Sequence, residues 1–111
     1  MDNQIRKHLY DVLSSIEAIN FHLGEKRNFF EYRKNLTVKR AVERELEIIG
    51  EAINRILKTN ADFELTHARK IVDLRNYIIH SYDTVDDEII WGIVNRHIPL
   101  LKSEIEIITN H

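Results

Sequence analysis

The chain has 111 residues, of which 43% are hydrophobic and 31% are charged, with only 3 Gly, 1 Pro and no Cys. This length suits one helical domain over residues 1–111 with a modest core, and the missing Cys excludes disulfides, a thiol nucleophile and Cys-ligated zinc. A formal net charge of −2 argues against a protein that coats nucleic acid by means of a generally basic surface.

The ends of the chain and its apolar runs bear on where the protein works. The first eight residues lack the apolar core of a signal peptide, and no run approaches the roughly 20 apolar residues of a membrane span. Together with the absence of Cys, this predicts a cytoplasmic protein without a membrane partner.

Apolar residues recur at steps of three and four near the start of the chain. This period predicts an amphipathic helix over residues 3–23, with Gly24 as its stop. Residues 24–36 contain three aromatic residues without a clear period. We expect a loop or a short helical turn there, whose aromatic side chains close one end of the core.

A second helix is predicted from a cap at Thr37 to about Asn60. Gly50 lies inside this helix and costs roughly 1 kcal/mol of helix stability relative to Ala. Close packing against another helix could be the reason for a glycine there.

A third helix is predicted to begin with Thr66 as its cap and to end in residues 75–82. The polar run at residues 83–88 favours a helix N-terminus, so a fourth helix should begin at about 85–87. Pro99 either kinks that helix or makes it restart. Four or five helices with short connections predict an all-α antiparallel bundle.

Arg75, His80 and Tyr82 combine the groups that metal-free phosphate chemistry needs. Arg is a permanent cation with forked donors, His moves protons near neutral pH, and Tyr offers a hydroxyl. On an unbroken helix Arg75 and Tyr82 share a face, whereas His80 points about 140° away from Arg75. The site therefore needs a loosened helix end, or a second copy of the chain whose two-fold axis brings two Arg and two His together.

A purely structural interpretation of the same residues stays open. Arg75 would pair with a nearby carboxylate such as Asp73 or Asp83, His80 would cap the helix C-terminus, and Tyr82 would pack as an ordinary aromatic residue.

Neither a metal nor a cofactor is expected. The His residues are scattered without a pair at i,i+4, and phosphate-loop and nucleotidyltransferase signatures are absent. The acidic run at residues 83–88 is typical of helix capping, with a divalent cation as the weaker alternative.

Basic residues are concentrated between residues 26 and 44, where seven basic residues face two acidic ones. They could form a patch that faces RNA phosphates, or they could be a solvated helix face with its preceding loop. The candidates for RNA binding are Lys26, Arg27, Arg33, Lys34, Lys39, Arg40 and Arg44.

Nearly the whole chain resembles the HEPN domains (higher eukaryotes and prokaryotes nucleotide-binding), and more closely their HepT-like branch. Arg75-Asn76, three residues, His80, one residue and Tyr82 reproduce the HEPN signature. The block at residues 40–52, which ends in Gly-Glu-Ala, is similar to the second-helix block of the family. The segment at residues 80–86 and the later Trp91 and Pro99 also resemble it.

The resemblance implies an all-helical homodimeric toxin that cuts RNA without metal, at a composite site on the dimer interface. Arg75 would bind the scissile phosphate and stabilise its developing charge. His80 would act as general base or acid toward the ribose 2′-OH and the leaving oxygen, and Asn76 would orient the phosphate or His80. The products would carry a cyclic phosphate end.

The resemblance also implies a mode of control. The family pairs its toxins with a minimal nucleotidyltransferase antitoxin called MntA, which would add AMP to Tyr82. The added charge and bulk would block RNA and silence the toxin. The two proteins could also form a larger hetero-oligomer.

Two other functions remain alternatives. The chain could be a non-catalytic helical partner or substrate-binding subunit of a nucleotidyltransferase, or a purely structural dimerisation module. The intact Arg, His and Tyr favour the ribonuclease toxin.

Overall fold

The computed structural model describes residues 1–81 and 84–110, which form five helices and contain no strand. This confirms the predicted all-helical fold, while the homodimer stays a prediction. None of the described helices is both long enough and apolar enough to cross a membrane. The helices are α1 (Asn3–Leu23), α2 (Phe29–Lys34), α3 (Leu36–Thr59), α4 (Ala68–Ser81) and α5 (Asp87–Thr109).

Helix α1 has the bounds that the apolar period predicts. The side chain of Asp2 accepts hydrogen bonds from the backbone N–H groups of Gln4 and Ile5, which satisfies donors that a helix start leaves free. At the other end Gly24 adopts a φ of 71° and donates its N–H to the carbonyl of Asn20. Gly24 ends the helix because residues with a side chain rarely adopt this left-handed conformation.

The predicted loop or turn at residues 24–36 contains the short helix α2. Asn28 caps it by accepting a hydrogen bond from the N–H of Glu31 at 3.1 Å. Tyr32 is buried, and its ring centroid lies 5.2 Å from that of Trp91 on α5. The aromatic closure of the core is therefore confirmed for Tyr32, whereas Phe30 remains 65% exposed.

Helix α3 begins slightly earlier than predicted. Asn35, not Thr37, is the cap, because its side-chain oxygen accepts the N–H of Val38 at 3.1 Å. Asn and Thr are both good capping residues, so the pattern alone could not choose between them. The predicted end at Asn60 is confirmed.

The start of α4 departs from the prediction for a tertiary reason. Thr66 does not cap the helix, which begins at Ala68. Its N–H and hydroxyl both donate to the carboxylate of Glu104 on α5, the hydroxyl at 2.7 Å. The Thr66 hydroxyl, which the local pattern assigned to a helix cap, therefore binds the carboxylate of Glu104 on another helix.

Helix α5 begins where the acidic run predicts. Asp86 is its cap and accepts the N–H of Glu88 at 2.8 Å. The helix is continuous through Pro99, so the alternative of a restart there is wrong.

The core lies where α3 packs against α1 and α4, with α5 against α1. The contact of α3 with α4 is close at Gly50. A methyl group added there would clash with Cβ of Arg75 and lie 3.2 Å from the backbone oxygen of Ile71. Close packing is therefore the reason for a glycine inside α3, as the sequence suggested.

Candidate functional site

A charged cleft of about 430 Å³ lies between α1, α3 and α4. Its lining includes four fixed cations and three carboxylates, with a few apolar residues. Helix α1 contributes Lys7, His8, Asp11, Ser14 and Ser15, α3 contributes Arg44, Glu47, Ile48, Glu51, Ala52 and Arg55, and α4 contributes Arg75 and Ile79.

Arg75 lies in this cleft with its side chain 28% exposed. One terminal nitrogen, Nη2, is 3.0 Å from Oε2 of Glu51, and Nη1 donates to Oδ1 of Asn76 at 3.1 Å. The carboxylate partner is therefore Glu51 on the neighbouring helix and not Asp73. Asp73 is two residues away on the same helix, and residues at that spacing do not face each other.

Glu51 contacts two guanidinium groups. Its Oε1 accepts a hydrogen bond from Nε of Arg55 at 3.1 Å, while its Oε2 pairs with Arg75. The hydrogen bond from Arg55 and the charge of Arg75 lower the pKa of the Glu51 carboxyl, against the opposing effect of partial burial. Because a guanidinium has five N–H donors, Arg75 retains N–H groups that can donate hydrogen bonds to a phosphate oxygen.

His80 lies apart from this cleft. It is exposed in the last turn of α4, and it makes no hydrogen bond or ion pair with any residue in 1–81 or 84–110. Helix α4 continues to Ser81, so Arg75 and His80 leave it about 140° apart, as an unbroken helix requires. The helix does not loosen before Ser81, and these two side chains do not converge within one chain.

The C-terminal end of α4 is capped by another residue than expected. The hydroxyl of Thr84 donates to the backbone oxygen of Ser81 at 2.6 Å, so Thr84 takes the capping role considered for His80. Asn76 is exposed and contacts Arg75, not His80. Tyr82 and Asp83 lie outside the described residues.

The predicted basic patch is partly neutralised by contacts within the protein. Lys39 pairs with Asp87 of α5 at 3.1 Å. Arg27 donates to the side-chain oxygens of Asn20 and Asn95, which links the loop after α1 to both α1 and α5. These two basic residues therefore stabilise contacts between elements.

The other members of the patch differ in their surroundings. Arg40 pairs with the buried Glu43 at 3.1 Å, whereas Arg44 lies in the charged cleft and pairs with Glu47 at 3.2 Å. Three members are exposed and form no ion pair with another described residue, namely Lys26, Arg33 and Lys34. Only Arg44 of the seven candidates lies beside Arg75.

The sequence did not single out several residues of the cleft. Lys7 on α1 and Arg55 on α3 are cations that lie near Arg75 only because α1 and α4 both pack on α3. One local signal did exist, since Gly50 indicated a close approach of helices and Glu51 follows it directly. Within the described part of the chain, no group of three or more His, Asp or Glu residues is placed to hold a metal ion.

Comparison with known proteins gives a consistent result. A family model described as ribonuclease HepT-like matches residues 9–108. A Methanocaldococcus jannaschii protein named "Putative RNase MJ1380" is 34% identical over 108 residues, which cover 94% of this chain and 95% of the relative. A Thermococcus cleftensis protein named "Probable ribonuclease HepT" is 32% identical over 110 residues, with 96% of each chain covered. No solved structure gives a significant match.

Proposed function

This chain belongs to the HepT-like ribonuclease family, and on that premise we propose that it is the toxin of a toxin–antitoxin pair. As such it is a metal-independent endoribonuclease that acts as a homodimer of single-domain protomers in the cytoplasm. The arrangement of Arg75 and His80 carries this proposal. Arg75 lies in the cleft between helices, and His80 leaves the same unbroken helix on a different face.

This geometry supports a site that two protomers complete. Along one helix the two side chains are separated by about 140° and roughly 7.5 Å of rise, so a single phosphate cannot be held between them easily. A two-fold axis near the end of α4 would bring Arg75 of one copy and His80 of the other to the same phosphodiester.

The proposed reaction is an intramolecular transfer within the RNA. His80 accepts the proton of the ribose 2′-OH, and the 2′-oxygen attacks the adjacent phosphorus. The bond from phosphorus to the 5′-oxygen then breaks, and this leaving oxygen takes up the proton that His80 has accepted. Arg75 stabilises the extra negative charge on the phosphate oxygens, and the products are a 2′,3′-cyclic phosphate and a 5′-OH end.

The proposed control is covalent. A cognate nucleotidyltransferase of the MntA kind transfers AMP to Tyr82, whose oxygen attacks the α-phosphate of ATP while pyrophosphate leaves. Because Tyr82 follows His80 by two residues, the added phosphodiester would lie close to the site. Its negative charge and its bulk would repel and exclude the RNA backbone.

The toxin proposal is tested by growth. Expression of the wild-type chain alone should slow growth, and Arg75→Ala or His80→Ala should relieve this effect. Arg69→Ala is the matched control, because Arg69 is an exposed Arg on α4 that does not line the cleft. Equal toxicity of the wild type and of both site variants would contradict the proposal.

The modification is tested by intact mass after incubation with the nucleotidyltransferase and ATP. AMP additions should appear on the wild type and disappear in Tyr82→Phe. Tyr10→Phe is the control, since Tyr10 is a half-exposed tyrosine on α1 and its loss should leave the additions unchanged. Additions that persist in Tyr82→Phe would place the modification elsewhere.

A second candidate function is a non-catalytic helical partner or substrate-binding subunit of the nucleotidyltransferase. The net charge of −2 and the internal pairing of Lys39, Arg40 and Arg44 favour it, because many ribonucleases carry a stronger basic surface. It predicts no RNA cleavage together with a stable complex in a pull-down. Absence of that complex would count against it.

A further inference from the structure

Two consecutive residues of α3 contact Arg75 at its two ends. Gly50 lies against Cβ of Arg75, where a methyl group would not fit, and this contact sets the root of the side chain. Glu51 holds the other end, with its Oε2 3.0 Å from Nη2. The position of the Arg75 guanidinium is therefore determined by α3 as much as by its own helix.

Glu51 is itself held in place by a second contact. Arg55, one turn later on α3, donates Nε to the other carboxylate oxygen at 3.1 Å. The three side chains form a row in the cleft with two positive charges and one negative charge. Glu51 can thus orient Arg75 while the row keeps a net positive charge, which favours an approaching phosphate.

We propose that Glu51 is a positioning residue for Arg75, and this inference rests on the ribonuclease function proposed above. Glu51 keeps the guanidinium fixed toward the cleft, so that the scissile phosphate meets donors that are already oriented. Such orientation acts mainly on the chemical step, where a displacement of about 1 Å can reduce the rate roughly 100-fold.

A competing role for Glu51 makes the opposite prediction. A carboxylate bound to Arg75 could simply compete with the phosphate for the same donors. Its removal would then strengthen RNA binding and lower KM, and it would leave kcat unchanged or raise it. The separate effects on kcat and KM therefore distinguish positioning from competition.

The chain offers a matched control in Glu47. It lies on α3 one turn before Glu51, lines the same cleft and pairs with Arg44 at 3.2 Å, but no contact links it to Arg75. Glu47→Ala removes the same charge from the same cleft and leaves the Glu51 to Arg75 contact intact. A general electrostatic effect of losing one carboxylate would therefore appear in both variants.

The first experiment measures cleavage of a single-stranded RNA oligonucleotide. Glu51→Ala should lower kcat by about 10- to 100-fold with KM changed by less than about threefold. Glu51→Gln should retain most of the turnover, because its amide oxygen can still accept a hydrogen bond from Nη2. Glu47→Ala should change KM through Arg44, while its kcat falls far less than that of Glu51→Ala. An unchanged kcat in Glu51→Ala, or equal losses in Glu51→Ala and Glu47→Ala, would overturn the positioning role.

A second measurement reads the contact without requiring catalysis. NMR of the Arg75 guanidinium, assigned with Arg75→Ala, should show resolved Nη protons in the wild type and in Glu47→Ala, and averaged signals in Glu51→Ala. If the wild type cleaves no RNA but shows this pattern, the ribonuclease proposal fails and the contact stands. If the wild type cleaves RNA but its Arg75 signals are already averaged, the positioning proposal fails and the ribonuclease proposal stands.

Discussion

Gly50 lies so close to Arg75 that a Cβ on Gly50 would overlap the Cβ of Arg75 and lie 3.1 Å from its Cγ. This contact joins α3 to α4 at the residue that we assign to the scissile phosphate. Close approach of the two helices also brings Glu51 within reach of the Arg75 guanidinium. A backbone requirement in one helix thus determines the geometry of a side chain on the other.

Replacing Gly50 with Ala should destabilise the protein although Ala is the better helix former. Overpacking of a close contact lowers the free energy of unfolding by about 1–3 kcal/mol. For a domain of this size, each kcal/mol lost lowers Tm by roughly 4–8 °C. RNA cleavage should fall as well, because the methyl group displaces Arg75. Thermal unfolding and cleavage assays of Gly50→Ala measure both effects.

Gly92→Ala provides the control for that substitution. Gly92 also lies inside a helix, α5, but a Cβ there would have no atom within 4 Å. Ala should therefore stabilise the protein by about 0.5–1 kcal/mol, because it lowers the conformational entropy of the unfolded chain and has a higher helix propensity than Gly. A gain in stability for both substitutions, or an equal loss for both, would contradict the packing argument.

Mixed dimers test whether Arg75 and His80 act across two protomers. Arg75→Ala and His80→Ala are each expected to be inactive as homodimers. In a mixed dimer one of the two composite sites combines the intact Arg75 of one chain with the intact His80 of the other, so each mixed dimer should recover about half of the wild-type activity. Refolding the two variants together and measuring cleavage gives the result, and no recovery would mean that both residues act from one chain.

The sequence predicted the helices well because their signals are local. The apolar period and Gly24 define α1, and Asp86 begins α5, since caps and periods involve residues only a few positions apart. Thr66 shows the limit of such signals. Its hydroxyl binds Glu104, which is 38 positions away, and no local pattern contains that partner.

The candidate site was predictable only in part for the same reason. Helical geometry alone indicated that Arg75 and His80 diverge, and α4 has that geometry. The surroundings of Arg75 depend instead on which helices are neighbours. Glu51 and Lys7 enter the cleft from α3 and α1, and the basic run that the sequence emphasised contributes only Arg44 to it.

Arg44 and Arg33 should differ in their effect on RNA binding. Arg44 lines the cleft beside Arg75, whereas Arg33 is exposed on the short helix α2 and does not line it. Arg44→Ala should weaken RNA binding and reduce the slope of log K against log salt by about one, as the loss of one phosphate contact does. Titration of an uncleavable 2′-deoxy-substituted RNA at several salt concentrations measures this, and a larger effect of Arg33→Ala would move the RNA path to α2.

His97 should make the stability of the fold sensitive to mild acid. Its ring packs edge-on against His67 with centroids 5.0 Å apart, and its Nδ1 is buried without a hydrogen-bond partner among the described residues. Burial lowers the pKa of His97 below its ordinary value of 6.5, and the charges of Lys70, His67 and Arg96 lower it further.

Because the native state then binds a proton less readily than the unfolded chain, the stability from neutral His97 is complete above pH 6.5 and is lost as the pH falls through the lowered pKa. The Tm of the wild type should therefore fall more steeply between pH 7 and about pH 5 than the Tm of His97→Gln. Parallel Tm curves for the two proteins over this range would show that His97 does not cause the acid sensitivity.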